Sequence, residues 1–184
     1  MLKGERKKKY TADDYMQLEE GAPFQLINYD LIMSPSPIPF HQQIVFALSE
    51  IIVLYNIKIG RKGQWMYAPS DVKFDEGNVL QPDILYIAEE RKLELIKERI
   101  EGAPDLVIEI LSPSTAYYDL RQKKNIYEKY GVKEYIIIDP IEQSAELYAL
   151  KDGIYYQHQK AQNNEGLNSK LLPGFSIDLS SLFK

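Results

Sequence analysis

The sequence of 184 residues contains no cysteine. This absence excludes disulfide bonds, iron–sulfur clusters and zinc sites with thiolate ligands. A protein without disulfides suits a reducing compartment. We therefore predict a cytoplasmic location.

Long apolar runs are missing as well. No stretch approaches the roughly 20 consecutive apolar residues that a membrane span needs. The basic start MLKGERKKKY leads into the polar TADDYMQLEE, whereas a secretory signal would continue with an apolar segment. We therefore expect no membrane partner.

The sequence also lacks an excess of positive charge, with 22 basic against 27 acidic residues and a formal charge of −5. This balance argues against a broad nucleic-acid-binding surface. The basic residues of the start are concentrated before Tyr10, namely Lys3, Arg6, Lys7, Lys8 and Lys9. We interpret residues 1–10 as a basic, flexible tail, which could also touch phosphates, and residues 11–184 as a single domain.

Two patterns predict the first helices of this domain. Thr11 followed three residues later by Asp14 is typical of a capping box, which predicts a short helix over 12–20 that ends at Gly21. A longer helix is expected from His41, because apolar residues recur there at helical spacing. Its stripe consists of Ile44, Leu48, Ile51 and Tyr55, with Val45 and Ile52 beside it.

Strand patterns fill most of the remaining chain. The predicted strands are FQLINYDLIM with a turn at 28–30, QWMYAPSDVKF, NVLQPDILYI, DLVIEILS, EYIIIDP, and a hairpin of AELYAL and GIYYQHQ around 151–153. The segment AEERKLELIKERIEG is interpreted as helical or irregular, and TAYYDLRQKKNIYEKYG as a helix that ends at Gly131. Helices and strands mix without strict alternation, which predicts an α/β or α+β fold with a mixed sheet.

A carboxylate interrupts the most apolar of these strands. In APDLVIEILSPS, residues 103–114, Glu109 lies among apolar residues that point to both faces. An ionised carboxylate in an apolar interior costs several kcal/mol unless it is paired or bound to a metal. Asp83 lies in or at the edge of a second apolar strand. Two acids on neighbouring strands predict a Mg²⁺ or Mn²⁺ site, to which the backbone carbonyl of Ile110 could add a third ligand.

The helix after Glu109 offers a cation. At about 100° per residue, Lys123 lies near the centre of an apolar face. That face consists of Ala116, Leu120, Tyr127 and Tyr130. Lys123 could form a simple ion pair with Asp119, one turn earlier. Alternatively, its ammonium lies beside the metal-bound carboxylates, where it could orient a hydroxide or stabilise charge on phosphate.

Several motifs together carry a family resemblance. They are QPDILYI, PDLVIEILSPST, Asp119, Lys123, Tyr127, GVKEYIIIDP and LPGFSIDL. From about Tyr10 to Phe183, the sequence resembles the Uma-type family of restriction-endonuclease-like proteins, a branch of the PD-(D/E)XK nuclease superfamily. The resemblance implies a restriction-endonuclease-like core, a mixed sheet flanked by helices, and metal-dependent hydrolysis of phosphodiester bonds.

The resemblance also assigns site residues. Asp83 matches the first acid of the motif and Glu109 the second. The superfamily's common form has lysine two positions later, where this chain has Leu111; the family's lysine has moved to the next helix and matches Lys123. Family members often have an acid in the first hairpin, where this sequence has Gln25. His41 matches the family pattern, and we interpret it either as a site residue or as a capping or hydrogen-bonded histidine.

The leading functional prediction is a Mg²⁺- or Mn²⁺-dependent endonuclease acting on DNA. Asp83 and Glu109 would hold the metal, Lys123 would position or activate water, and Gln25, His41 and Asp119 would line the site. The alternative is a catalytically weakened nucleic-acid-binding or accessory protein that retains the fold. A two-carboxylate glycosidase is less attractive, because no pattern places aromatic platforms near the acids.

Association of two copies is a further expectation. A twofold dimer is the simplest way to cut both strands of a duplex with one site per chain. We predict a homodimer, with AELYAL and GIYYQHQ as the candidate contact. The alternative for these segments is a packed terminal hairpin.

Overall fold

The computed structural model describes residues 8–19, 21–113 and 116–184. Its helices are α1 (Ala12–Met16), α2 (Pro39–Lys58), α3 (Lys92–Leu95), α4 (Lys124–Tyr130) and α5 (Leu179–Leu182), with a 3-10 turn at Glu89–Arg91 and a π-helical segment at Tyr118–Lys123. Its strands are β1 (Phe24–Ile27), β2 (Asp30–Met33), β3 (Gln64–Tyr67), β4 (Val72–Asp75), β5 (Asn78–Leu80), β6 (Ile84–Ile87), β7 (Ile100–Glu101), β8 (Leu106–Ile110), β9 (Glu134–Asp139), β10 (Ser144–Lys151), β11 (Ile154–Gln162), β12 (Gly166–Asn168) and β13 (Ser176–Asp178).

The main sheet has six strands in the order β11-β10-β9-β8-β6-β3. Strands β8 and β9 are parallel, whereas the other neighbours are antiparallel. The parallel pair needs a crossover, which the π-helical segment and α4 supply. The predicted fold class, helices around a mixed sheet, is confirmed.

A second sheet has the order β2-β1-β5-β4-β7, and β12 pairs with β13 in a small third sheet. Two sequence segments that we expected to be single strands are each divided. QWMYAPSDVKF forms β3 and β4, and NVLQPDILYI forms β5 and β6, with one half in each sheet. Pro69 and Pro82 lie at the divisions, because proline has no N–H to donate to a strand ladder.

Both faces of the main sheet are buried. Helix α2 packs against one face, where Ile44 and Leu48 join the core residues Ile108 and Ile136. The opposite face carries Val107, Tyr135 and Ile137 and packs against Tyr127 of α4 and residues of the second sheet. Side chains alternate along a strand, so Glu109 points to the same face as Val107. The site carboxylate therefore faces α4 and the π-helical segment.

The hairpin turns agree with the sequence patterns. Asn28 and Tyr29 have φ values of 52° and 66° between β1 and β2, and Asp152 and Gly153 have values of 52° and 80° between β10 and β11. Two consecutive residues with positive φ suit the twist of a two-residue hairpin, which explains the asparagine, aspartate and glycine there.

The boundaries of two predicted helices differ from the structure, and the segment interpreted as helical or irregular contains elements of both kinds. The capping box of Thr11 and Asp14 forms, but α1 ends at Met16 and not near residue 20. The segment AEERKLELIKERIEG contains only a 3-10 turn, the four-residue α3 and the short strand β7. The helix after Glu109 includes the π-helical segment, which changes which of its residues face the core.

Helix α2 has 20 residues and is long and apolar enough, by length and composition alone, to cross a membrane. The sequence was expected to lack such a stretch. One face of α2, which includes Ile44, Leu48 and Ile52, lies in the core against the main sheet.

Candidate functional site

Glu109 lies in the middle of β8 and is only 2% exposed. Its Oε1 accepts a hydrogen bond of 2.9 Å from Lys123 Nζ and one of 2.6 Å from the Tyr127 hydroxyl. Burial raises the pKa of Tyr127, which keeps this hydroxyl protonated as a donor. The helical crossover after β8 thus supplies both partners of the buried carboxylate.

Lys123 joins two acids. Its Nζ lies 2.9 Å from Glu109 Oε1 and 2.9 Å from Asp119 Oδ1. The two sequence interpretations of Lys123, an ion pair with Asp119 and a contact with Glu109, therefore describe one arrangement. All three side chains are buried, so water screens these charges little.

Burial and charge act in opposite directions on this group. Burial by itself lowers the pKa of Lys123, but the charges of Glu109 and Asp119 outweigh it, and the pKa lies above its usual value. Burial raises the pKa of Glu109, and the charge of Lys123 opposes that rise. The ammonium of Lys123 therefore stays protonated.

The π-helical segment Tyr118–Lys123 explains how the acid and the lysine come together. A π-helix forms i→i+5 hydrogen bonds, so each residue turns by less than in an α-helix. Asp119 and Lys123 are both buried in this segment, whereas Leu120 is 44% exposed. The prediction from sequence assumed an α-helical period throughout. It therefore placed Lys123 correctly on the buried face and placed Leu120 there wrongly.

Asp83 directly precedes β6. The antiparallel register of β6 and β8 pairs Ile84 with Ile108, so the next position along each strand sets Asp83 opposite Glu109. Opposed residues of an antiparallel pair share a face, with Cβ atoms about 5 Å apart. Asp83 Oδ2 accepts a hydrogen bond of 2.7 Å from the Ile110 N–H. The two acids predicted on neighbouring strands are thus neighbours in the fold.

His41 lies in the first turns of α2 and reaches the same carboxylate. Its Nε2 is 3.3 Å from Asp83 Oδ2. Burial lowers the pKa of His41, but the hydrogen bond to Asp83 and the charge of that residue outweigh it, so the pKa is raised. His41 Nδ1 is buried and has no hydrogen-bond partner among the described residues.

Gln25 is close in space to the segment before Asp83 but directs its amide at Gln81 and Ser34. Its Oε1 accepts a hydrogen bond of 2.9 Å from the Gln81 N–H, and its Nε2 donates to Ser34 Oγ at 3.2 Å. Gln81 precedes Pro82 and Asp83, so Gln25 supports the segment that carries the first acid. The structure places Gln25 beside this segment and gives its amide oxygen a protein partner.

A cleft of about 700 Å³ opens at Asp83 and His41. Its other walls come from the loop after β2, the start of α2 and the loop after β8, and they include Ser34, Pro35, Pro37, Ile38, Pro69, Ser112 and Pro113. Among the residues that the structure describes, no lysine or arginine lines it. The cleft is accessible at Asp83, while Glu109 and Lys123 lie behind it.

The two acids fit a divalent cation in one respect. Of the described residues, none donates a hydrogen bond to Asp83 Oδ1 or Glu109 Oε2, and the hydrogen bonds from Ile110, Lys123 and Tyr127 end on the other oxygen of each carboxylate. Carboxylate oxygens are the preferred ligands of Mg²⁺ and Mn²⁺. Within the described ranges, however, no three Asp, Glu or His side chains are grouped around a common metal position.

The Ile110 carbonyl can complete such a site from the backbone. In a strand, the N–H and C=O of one residue point to the same neighbour. Because the Ile110 N–H donates to Asp83, its carbonyl also lies on the Asp83 side of β8. A metal held here would use two carboxylates and one carbonyl.

Two features of the neighbourhood were missed from the sequence. The Tyr135 hydroxyl donates to the Asp119 carbonyl at 3.0 Å and so supports the π-helical segment. Asp105, in the second Pro-Asp dipeptide, is fully buried and accepts bonds from the Ala88 N–H, Arg91 and Lys133. Asp105 is a structural anchor at the start of β8, which shows why a bare Pro-Asp does not identify a site.

Known proteins resemble this chain along most of its length. An uncharacterized protein, sll1609, of Synechocystis sp. (strain ATCC 27184 / PCC 6803 / Kazusa) is 30% identical over 135 residues, which cover 70% of this chain and 74% of that protein. A crystal structure of a "putative nuclease belonging to DUF820" from Anabaena variabilis ATCC 29413 matches with a TM-score of 0.75 at 22% identity, covering 94% of this chain and 97% of that one. That likeness shows a nuclease-like fold.

The family model named Uma2, described as "Putative restriction endonuclease", matches residues 12–180. The match includes both strand acids, the π-helical segment and the hairpin of β10 and β11. It agrees with the resemblance that the motifs carry. This chain belongs to the Uma2 family.

Proposed function

We propose that this protein is a Mg²⁺- or Mn²⁺-dependent endonuclease that hydrolyses phosphodiester bonds in DNA. The observation that carries the proposal is the pair of opposed acids, Asp83 and Glu109, with the Lys123 ammonium on the second acid. A structural ion pair alone would need one acid and one base. This site holds two acids on a single lysine and a third acid, Asp83, opposite Glu109, and that concentration of carboxylates suits a divalent cation.

The two acids and the backbone divide the task of metal binding. Asp83 Oδ1, Glu109 Oε2 and the Ile110 carbonyl would hold the cation between β6 and β8. A divalent cation bound there supplies the positive charge that a phosphodiester needs in order to accept a nucleophile. The hydrogen bonds on Asp83 Oδ2 and Glu109 Oε1 keep both carboxylates oriented.

Lys123 acts as a cation and not as a base. The negative charges of Glu109 and Asp119 raise the pKa of Lys123 and so hold the proton on the ammonium. The ammonium donates to Glu109 and lies at ion-pair distance from Asp119 Oδ1, and its three N–H donors allow it to orient a water molecule as well. The positive charge also stabilises the negative charge that grows on the phosphate during attack.

The cleft in front of Asp83 would hold the nucleic-acid strand. The described part of its lining contains no lysine or arginine, and Asp83 adds a negative charge. Phosphate binding in this cleft therefore depends on the cation, and we expect DNA binding to require a divalent metal. This requirement separates the enzyme from an accessory protein that binds DNA by its own charge.

The test combines binding and cleavage. Calorimetric titration of Mn²⁺ and nicking of supercoiled plasmid are measured for the wild type, Asp83→Asn and Glu109→Gln. Glu94→Gln, an exposed acid of α3, is the matched control. We expect binding and nicking in the wild type and the control and neither in the two site variants. Full activity of either site variant at the same metal concentration would contradict the assignment.

A second candidate function is a nucleic-acid-binding or accessory protein with weakened catalysis. The neutral Gln25, whose amide oxygen is bonded to Gln81, is the observation that favours it. Such a protein would bind DNA in the presence of EDTA and would not cut it with Mn²⁺. Fluorescence anisotropy of a labelled oligonucleotide, with EDTA and with Ca²⁺, distinguishes the two functions.

The proposed enzyme acts as a homodimer on duplex DNA. Each chain offers one pair of strand acids, so two chains are needed to cut two strands at once. The predicted contact, the hairpin of β10 and β11, exposes Ile154 at the start of β11. A different surface makes a stronger case for association.

A further inference from the structure

Helix α2 is apolar on two opposite faces. Its inner face packs on the main sheet through Ile44, Leu48 and Ile52. Its outer face exposes four large apolar side chains, namely Phe46 (66%), Val53 (53%), Leu54 (70%) and Ile57 (55%). A helix that is apolar all round is normally buried on all sides. The outer face of α2 therefore has the composition of an interface.

The outer face has a regular arrangement. Phe46, Glu50, Leu54 and Lys58 are spaced by four residues and form one ridge along the helix. We call these four residues the outer ridge. Val53 and Ile57 lie beside it. Neither Glu50 nor Lys58 forms an ion pair with another described residue, so both charges of the outer ridge remain available.

We propose that a second copy of this chain binds the outer ridge, with the two α2 helices antiparallel and the twofold axis at Leu54. This proposal goes beyond the proposed nuclease function, which does not specify the surface. The contact is isologous, since the same residues of both copies meet across the axis.

Charge complementarity supports this register. With the axis at Leu54, Glu50 of one copy lies opposite Lys58 of the other, and the symmetry repeats the pair. Leu54 then meets its own copy at the centre. An axis at Glu50 would instead set two glutamates against each other, which is unfavourable. The outer ridge is thus complementary to itself in only one of these two registers.

The outer ridge is a poor membrane surface. Glu50 lies between Phe46 and Leu54, and a carboxylate in the centre of an apolar face opposes insertion into lipid. The inner face of α2 is committed to the core and cannot contact lipid in the folded chain. In a second copy, by contrast, Glu50 finds a lysine at the matching position.

The size of the contact sets the expected strength. A helix of 20 residues is about 30 Å long, and one helix face covers less than the roughly 800 Å² per partner of a standard interface. We therefore expect a dimer that dissociates at micromolar concentration.

Charge exchange tests the register. Glu50→Lys and Lys58→Glu each set like charges across the contact twice, so we expect each to raise the dissociation constant about tenfold or more. The double variant, Glu50→Lys with Lys58→Glu, reverses both charges and should restore the wild-type constant. Sedimentation equilibrium in metal-free buffer measures all four proteins. A double variant no tighter than the singles would overturn the register and with it the proposal.

Leu54→Arg tests the surface without depending on the charges. It places two like charges at the axis, and we expect a monomer at every concentration measured. Ile154→Arg is the control, because Ile154 is 67% exposed and lies in the alternative contact. A wild-type monomer throughout, or a dimer broken by Ile154→Arg and not by Leu54→Arg, would overturn the proposal.

Flotation with vesicles of phosphatidylcholine and phosphatidylglycerol tests the alternative partner of the outer ridge, which is a lipid membrane. Wild-type binding to vesicles that Leu54→Arg removes would also overturn the proposal. Circular dichroism and thermal unfolding confirm that each variant is folded. Since none of these measurements involves metal or DNA, their failure leaves the proposed metal site and phosphodiester cleavage standing, and loss of nuclease activity does not affect them.

Discussion

Lys123 Nζ lies 2.9 Å from Glu109 Oε1, although the two residues are 14 positions apart and belong to different elements. The contact joins the central strand of the main sheet to the helical crossover that follows it. The same ammonium reaches Asp119 at 2.9 Å. This one cation therefore holds two buried acids beside the central strand.

Removal of the Lys123 ammonium should lower the free energy of unfolding. Lys123→Met removes the ammonium that lies between the buried carboxylates of Glu109 and Asp119, and breaking a buried ion pair in this way costs about 3–5 kcal/mol. We expect urea unfolding to show a loss of this size. The double variant Lys123→Met with Glu109→Gln removes one of the stranded charges and should recover part of the loss. Equal stability of the single and double variants would show that Glu109 is not charged in the folded protein.

Metal binding should stabilise the folded protein. A ligand that binds only the folded state raises the free energy of unfolding by about 2.7 kcal/mol at a hundred times its dissociation constant. We expect Mn²⁺ to raise the Tm of the wild type and to have no effect on Asp83→Asn or Glu109→Gln. Differential scanning fluorimetry measures these shifts. A Tm that rises equally in all three proteins would place the metal elsewhere.

Asp105 should contribute to stability in a pH-dependent manner. Burial by itself raises the pKa of Asp105, but the Ala88 N–H, Lys133 and Arg91 outweigh it and the pKa lies below its usual value. Stability from a lowered pKa is present above the pKa of the unfolded chain and is lost as pH falls through the folded pKa. We expect Asp105→Asn to cost about 1–3 kcal/mol at neutral pH.

The same variant should be less sensitive to acid. The wild type and Asp105→Asn should converge in stability as pH falls below about 4, the pKa of the carboxyl group in an unfolded chain. Denaturant unfolding across this range measures the convergence. A difference between the two proteins that is constant with pH would mean that the charge of Asp105 does not matter.

Gln25→Glu tests the departure from the family pattern. The new carboxylate can still accept the Gln81 N–H, and the Ser34 hydroxyl can turn to donate to it. Because this side chain is directed at Gln81, we expect the affinity for Mn²⁺ to change by less than about threefold and stability to change by less than about 1 kcal/mol. Calorimetric titration checks the affinity. A much tighter metal site would show that the hairpin acid of other family members is a ligand.

Much of the site could be predicted from local pattern. The excess of apolar residues around Glu109 and after Pro82 identified two buried strands, and a buried carboxylate demands a partner whatever the fold. The sequence also predicted the turn residues of both hairpins and the capping box of α1, because these residues act on neighbouring backbone groups.

The remaining features depend on contacts between distant segments. A uniform helical period could not show that the chain forms a π-helical segment at Tyr118–Lys123, which buries Asp119 and exposes Leu120. Nothing near Gln25 indicated that its amide would support Gln81, 56 positions away.

The sequence by itself thus determined the two acids, the lysine and the strands and turns that carry them, since side-chain periodicity and turn chemistry are local properties. The tertiary structure decided the register that opposes Asp83 to Glu109, the rotation of the crossover helix and the cleft at Asp83. Those features depend on how β6, β8 and the segments around them pack, and packing between segments distant in sequence leaves no periodic signal along the chain.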